Sequence, residues 1–244
     1  MIYKANKRQV SYGEAIGILL MESYMPFPPG DVGNATTFPF PVRYQVVRGA
    51  SVEALIVRAD PSLLEPFVNA GMELAKEGVR AITGDCGYMV VFQKELARRL
   101  PVPVFMSSLL QVPFISRMLK PEQEVGVIVA NSRALTDKHL KAAGIDESIH
   151  VRVAGMEDQP YFRRAILDEG GELDFDRVEK EVVNKSRKLV AKYRKIGAIL
   201  LECSDLPPYA AAVQEAVRLP VFDFVTMINY VFSAVVRQRF QGFL

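Results

Sequence analysis

Eight short apolar runs, rich in β-branched residues, alternate along this chain with segments whose apolar positions recur at helical spacing, and that alternation leaves few folds open. The strand-like runs lie at 15–21, 44–47, 79–83, 102–105, 125–130, 150–154, 198–201 and 221–222. The helix-like segments lie at 63–77, 90–99, 134–142, 177–194 and 210–217. Strands separated by helices build βαβ units, which pair their strands in parallel. The runs are apolar throughout, as in strands covered on both faces. The sequence therefore predicts an α/β protein with mainly parallel sheets between helical layers.

The chain also repeats itself. RAITGDCGYM, from Arg80, aligns with GAILLECSDL, from Gly197, so that Ala81, Ile82, Asp85 and Cys86 meet Ala198, Ile199, Glu202 and Cys203. Without a gap, Pro103, Val104 and Phe105 then meet Pro220, Val221 and Phe222. Upstream, the run from Gly17 to Ser23 matches the run from Gly126 to Ser132. Two pseudo-symmetric three-layer α/β/α halves follow, with the active site expected between them.

Each half places one cysteine, Cys86 or Cys203, after an apolar strand and before a helix. In open α/β sheets ligands gather at the carboxyl ends of strands, and the helix that follows offers unpaired backbone N–H groups and partial positive charge, which favour a thiolate. A pseudo-two-fold axis would set the thiols across one cleft. One would then remove a proton from carbon and the other deliver one to the opposite face, with backbone amides holding an anion. The plain alternative for either cysteine alone is a small buried hydrophobe. These expectations describe a cofactor-independent racemase or epimerase acting beside a carboxylate or carbonyl, an isomerase that requires neither metal nor organic cofactor.

On these residues the chain resembles the aspartate/glutamate racemase superfamily, which includes hydantoin racemases, maleate isomerase and arylmalonate decarboxylase. The resemblance implies cofactor-independent chemistry, Cys86 and Cys203 as the acid–base pair, and a C-terminal helix that returns to the first domain. The first domain would then span 1–106 plus 225–244 and the second 107–224. It implies a small carboxylate substrate and a homo-oligomer. Gly87 and Tyr88 stand where the amino-acid racemases carry Asn-Thr, and Ser204 and Asp205 where they carry Thr-His, which puts free glutamate or aspartate in doubt as substrates. A maleate-type cis–trans isomerase using one cysteine as nucleophile, or a non-catalytic small-acid binder, stays open as an alternative.

Gly87, Tyr88, Ser204 and Asp205 are substrate-binding candidates by their place beside the cysteines. Asp85 and Glu202 are supporting candidates that steer proton transfer or else cap a helix. Asp205 alternatively caps the helix that enters Pro207-Pro208. The resemblance adds Asn131 and Ser132 as binding residues, Ser132 also being a natural helix cap. Residues 24–42 form a proline-rich loop on the cysteine edge, from which Asn34 is a further binding candidate. His139, among Asp137, Lys138 and Lys141, is expected on a solvated helix face.

Other classes drop out. The 30 basic and 28 acidic residues leave a net charge of +2, so no basic field serves a nucleic-acid backbone. The run 221–236 contains Asp223 and Asn229 and is short for a bilayer. Gly13 and Glu14 break the approach of Lys4, Lys7 and Arg8 to the run 15–21, against a secretion signal. Two cysteines are no disulfide framework. A cytoplasmic protein with free thiols and no membrane or nucleic-acid partner is expected.

Overall fold

The computed structural model describes residues 2–243. Its first sheet holds β1 (Ile16–Leu20), β2 (Val42–Val46) and β3 (Ala81–Gly84), in the order β2-β1-β3. The second holds β4 (Glu124–Val129), β5 (Val151–Gly155), β6 (Ile196–Leu201) and β7 (Val221–Phe222), in the order β5-β4-β6-β7. Every pairing is parallel. The helices are α1 (Leu64–Lys76), α2 (Gln93–Arg99), α3 (Val112–Met118), α4 (Asp137–Ala142), the single turn α5 (Pro160–Phe162), α6 (Phe175–Lys192), α7 (Ala210–Val217) and α8 (Phe224–Val235).

The repeat read from sequence reappears in the register of the strands. Gly17 pairs with Ile82 in the first sheet, and their sequence counterparts Gly126 and Ile199 pair in the second. The Ile82 N–H donates to the Pro103 carbonyl and the Ile199 N–H to the Pro220 carbonyl, both at 2.9 Å. Asp85 N–H reaches Leu19 O at 3.1 Å, and Glu202 N–H reaches Ile128 O at 2.8 Å. A one-residue slip would turn each buried face outward, so these matches fix the same register in both halves.

The strand expected at 102–105 is reduced to a single parallel bridge between Ile82 and Val104. Pro101 and Pro103 lack N–H groups, which leaves too few donors for a ladder. The helix expected at 90–99 opens as a 3₁₀ segment, Gly87–Phe92, before α2. The one expected at 134–142 begins only at Asp137, capped by Thr136 rather than Ser132.

Strand side chains alternate between two cores. Val125, Val127 and Val129 face a cluster with Val112 and Ile115 of α3, whereas Ile128, Ile199 and Leu201 face Val178, Val182 and Leu189 of α6. On the first sheet, Ile16, Ile18 and Ala81 meet Phe224, Met227 and Ile228 of α8. Asp223 caps α8 by accepting the Thr226 N–H at 2.7 Å, which starts the helix where the chain leaves the second sheet. Phe224 is fully buried, so Phe224→Ala is expected to cost about 3–5 kcal/mol. Urea unfolding of the purified variant measures it. No helix among the described residues is long and apolar enough to cross a membrane.

Candidate active site

The carboxyl ends of β3 and β6 converge. Cys86 and Cys203, 4 % and 6 % exposed, line one cavity. Asp85, Gly87, Tyr88, Glu202, Ser204 and Asp205 line the same cavity, so eight sequence candidates come together. Met21 and Met25 from the first long loop, Val52, Ile56, Ala130, Ile166 and Leu167 complete the wall. The free volume is about 10 Å³, room for roughly one water.

The acids beside the cysteines hold equivalent posts. Asp85 accepts the Met21 N–H, each carboxyl oxygen at 3.1 Å. Glu202 Oε2 accepts the N–H of Ala130, the counterpart of Met21, at 3.4 Å. Neither caps a helix or pairs with an arginine. Glu202 Oε1 is buried without a partner. Burial pushes each of the two acids up to about 8, against the backbone hydrogen bond that each accepts.

The surroundings of the two thiols differ. Cys203 Sγ donates to Asp205 Oδ2 at 3.1 Å. Tyr88, the counterpart of Asp205, instead turns its hydroxyl away, donating to Asn131 O at 2.6 Å and accepting the Asn131 N–H at 3.0 Å. Burial is the largest cause raising both thiols well above the ordinary range. Glu202 and then Asp85 add to it at Cys86, and Asp205 and then Glu202 at Cys203. Asp205 does not cap the following turn, whose N-cap is Leu206 without a side-chain bond. Ser204 donates its hydroxyl to the Asp85 carbonyl, tying the two halves together.

Three candidates are not brought to the cavity wall. Asn34 accepts the Thr36 N–H at 2.9 Å and donates to Phe27 O at 2.8 Å, shaping its own loop. Ser132 N–H donates to Glu157 at 3.1 Å, and its hydroxyl is also taken by Glu157. Asn131 contributes its backbone to Tyr88 and its side chain to the Arg133 N–H. His139 is buried rather than solvated: it meets the Tyr88 ring edge-on at 5.4 Å, and its Nδ1 sits in the cap with Thr136. Starting α4 at 137 turns that position inward.

Two features escaped the sequence reading. Asp31, in the loop after β1, is 1 % exposed with its Oδ2 unpartnered, and burial, then the nearby Asp205 carboxyl, hold it well above the usual carboxylate range. A π-helical turn stands over the cavity from each half, Glu53–Val57 and Arg163–Leu167, contributing Ile56 and Ile166. Each is followed by a left-handed non-glycine residue, Ala59 at φ 47° and Glu169 at φ 48°.

Among the described residues no lysine, arginine or histidine lines the cavity. Because Asp85 and Glu202 titrate near 8, the fold holds more protons than the unfolded chain between about pH 4 and 8. Stability from these groups is therefore full below that window and lost as pH rises through it. The urea midpoint is expected to fall from about pH 5 to about pH 8, and Glu202→Gln to stabilise the protein by about 1–3 kcal/mol at the alkaline end, with a smaller gain near pH 5. A midpoint that rises over this range would contradict it.

No family model matches the chain. The chain is 33% identical over 223 residues to the dimethylsulfoniopropionate lyase of Durusdinium sp. clade D, covering 88% of this chain and 73% of that protein. The chain belongs to the dimethylsulfoniopropionate lyase family. Lyases 3 and 7 of Emiliania huxleyi (strain CCMP1516) are 33% and 34% identical, each over 91% of this chain and over 60% and 67% of their own lengths. Among solved structures, a variant of arylmalonate decarboxylase in a sulfate-associated form superposes with a TM-score of 0.62 at 13% identity, covering 90% of this chain and 92% of that one. Allantoin racemase from Pseudomonas fluorescens gives 0.58 at 17%, with 91% of each chain covered. The fold is that of the aspartate/glutamate racemase superfamily.

Membership in a lyase family corrects the expected function. The curated relatives are enzymes of a different kind from the racemase or epimerase anticipated, and from its isomerase and non-catalytic alternatives.

Proposed function

We propose that this protein cleaves dimethylsulfoniopropionate, or a closely similar onium carboxylate, by β-elimination. The observation that carries the reading is the cavity wall, which pairs two thiols with Asp85, Glu202 and Asp205 and includes no cationic side chain among the described residues. Buried negative charge without a counter-ion favours a cationic ligand. A sulfonium supplies that cation. With Asp85 and Glu202 titrating near 8, both stay neutral at pH 7 and are donors for the substrate carboxylate. Asp205, which accepts the Cys203 thiol, is the carboxyl placed to meet the sulfonium. The wall thus suits a zwitterion.

The chemistry needs one base. Cys203 passes its proton to Asp205, and the thiolate takes a proton from carbon 2 of the substrate. The C–H electron pair becomes the carbon–carbon double bond, and the C3–sulfur bond breaks with its pair on sulfur. Acrylate and neutral dimethyl sulfide leave, the carbon-2 proton restores the Cys203 thiol, and Asp205 returns its proton to solvent. A neutral leaving group takes no proton, so the second thiol required by a racemase is not required here. The entering sulfonium also offsets the acids that hold the Cys203 thiol up, so the substrate activates its own base.

A free volume near 10 Å³ does not admit this substrate, so Ile56 and Ile166 on the two π-helical turns give way on binding. The test is product analysis: purified protein and dimethylsulfoniopropionate should yield dimethyl sulfide in the headspace and acrylate in solution in equal amounts. Neither product above the uncatalysed rate would end this reading.

A further inference from the structure

A second cavity, of about 440 Å³, lies against the acid-lined one, and the step just described makes no use of it. Val52, Ile56 and Leu167 line both cavities, so these three side chains form the wall between them. Ile56 and Leu167 belong to the two π-helical turns, one from each half. The outer space has room for a small organic acid, where the inner one, at about 10 Å³, has not.

The outer wall carries the cations that the inner wall lacks. Arg133 and Arg163 line it beside Glu157, Asp158 and Asp168. Each of these acids is already engaged. Glu157 accepts the N–H and hydroxyl of Ser132, Asp158 pairs with Lys185, and Asp168 pairs with Arg163 at 3.4 Å. Arg133 is exposed and makes no ion pair among the described residues. Its backbone is fixed all the same. The Arg133 N–H donates to Asn131 Oδ1 at 3.1 Å, and Asn131 holds the Tyr88 hydroxyl on its own N–H and carbonyl. Asn131 lines the outer cavity and Ala130 the inner one, so Arg133 is anchored where the two spaces meet.

Elimination changes the charge of what the inner cavity holds. A zwitterion enters. Once dimethyl sulfide forms, the acrylate left behind is an anion without its cation. The inner wall offers it carboxyls and no cationic side chain among the described residues, so acrylate is held there less favourably than the zwitterion was. Beyond Ile56 and Leu167 stands a guanidinium with no acid of its own, and a guanidinium meets a carboxylate through two parallel N–H donors. We infer that the outer cavity is a binding site for small monocarboxylates, with Arg133 as the carboxylate ligand, and that acrylate occupies it on leaving. The exit role rests on the lyase reading; the binding site does not. A carboxylate seated there closes the way in, so acrylate inhibits in competition with substrate.

The probe is propionate, which carries the carboxylate and no leaving group. Added to the isotope-labelled full chain, it should shift the NMR amide signals of residues 131–134 and 163–168. Propionamide, uncharged and of the same shape, should leave them in place. Arg133→Gln should weaken propionate binding about fivefold, the upper end for one solvent-exposed ion pair. Arg133→Lys keeps the charge and should weaken it about twofold. The gap between wild type and Arg133→Gln should narrow as salt is raised. With dimethylsulfoniopropionate as substrate, the inhibition constant for acrylate should rise about fivefold in Arg133→Gln, with kcat within about twofold. Arg133 is exposed and unpaired, so both variants are expected to fold, which thermal unfolding checks.

Wild-type protein that does not bind propionate, an equal response to propionamide, or propionate binding unchanged in Arg133→Gln would overturn the inference. So would an acrylate inhibition constant that Arg133→Gln leaves unmoved. Propionate binding that depends on Arg133, in a protein that releases no dimethyl sulfide, would sink the lyase reading and leave the carboxylate site standing. Sulfide release from a protein whose propionate binding is indifferent to Arg133 would do the reverse.

Discussion

Cys203→Ala should lower the rate of dimethyl sulfide release by about 10³-fold, within the range for loss of a positioned base, whereas Cys86→Ala should lower it by about tenfold or less. The asymmetry follows from the side chains around two otherwise matched thiols. Cys203 donates to Asp205 at 3.1 Å, and Asp205 takes up the proton that leaves. Tyr88, at the same place beside Cys86, is occupied with Asn131. An elimination that expels a neutral sulfide asks for one proton acceptor and no acid on the opposite face. Headspace analysis of both variants measures the effect, and matched losses would favour two cooperating thiols instead. Thermal unfolding of each variant separates lost chemistry from lost structure.

Gly87→Ala carries the other large effect. A Cβ there would stand 1.8 Å from Glu202 Oε1 and 2.4 Å from Cδ. That carboxyl is the end of a side chain, but it is fully buried and tethered to Ala130, so it has nowhere to swing. The backbone must move instead, carrying Cys86 and the amides that follow it. A loss of about 1–3 kcal/mol in stability is expected, with about 10²-fold in rate from misplaced groups. Removing the obstruction should restore the fold: Gly87→Ala combined with Glu202→Ala should be more stable than the sum of the two single effects, by more than about 0.5 kcal/mol. Activity should not return, because Glu202 is proposed to meet the substrate carboxylate. Additive stabilities in urea would show that the two positions do not clash.

The sheets were legible because their signal is local and repeated. Apolar β-branched runs marked seven strands, and the offset that aligned Ala81, Ile82 and Cys86 with Ala198, Ile199 and Cys203 also carries Pro103, acceptor of the Ile82 N–H, onto Pro220, acceptor of the Ile199 N–H. The run at 102–105 failed as a strand because its prolines remove donors, a count available from sequence alone. The cysteines and the residues flanking them were legible for the same reason of repetition.

Asp31 was not legible, since a loop of prolines and glycines has no period, and its place near Asp205 depends on one half docking against the other. A single clue lay in the glycines on either side, Gly30 and Gly33, which permit close approach. Asp205 read either as a side chain serving the cysteine and substrate or as a helix cap before Pro207 and Pro208; the structure turns its carboxyl back to Cys203 and leaves Leu206 at the cap. The reaction was misread for a chemical reason. Two thiols at matched positions suggest matched roles, and Asp85, Glu202 and Asp205 each have an ordinary capping or supporting role when taken alone. Taken together, with no basic side chain on the wall among the described residues, they fit the zwitterion proposed as substrate, Asp205 toward its cation and Asp85 and Glu202 toward its carboxylate.

The most direct test follows product from dimethylsulfoniopropionate carrying deuterium at carbon 2. If the Cys203 thiolate removes that hydrogen as dimethyl sulfide departs, the wild-type protein should release acrylate and dimethyl sulfide in equal amounts, more slowly than from the protium substrate under single-turnover conditions. Equal rates from the two substrates, or sulfide release without acrylate, would contradict proton abstraction at the acid-lined cavity as the act that breaks the carbon–sulfur bond.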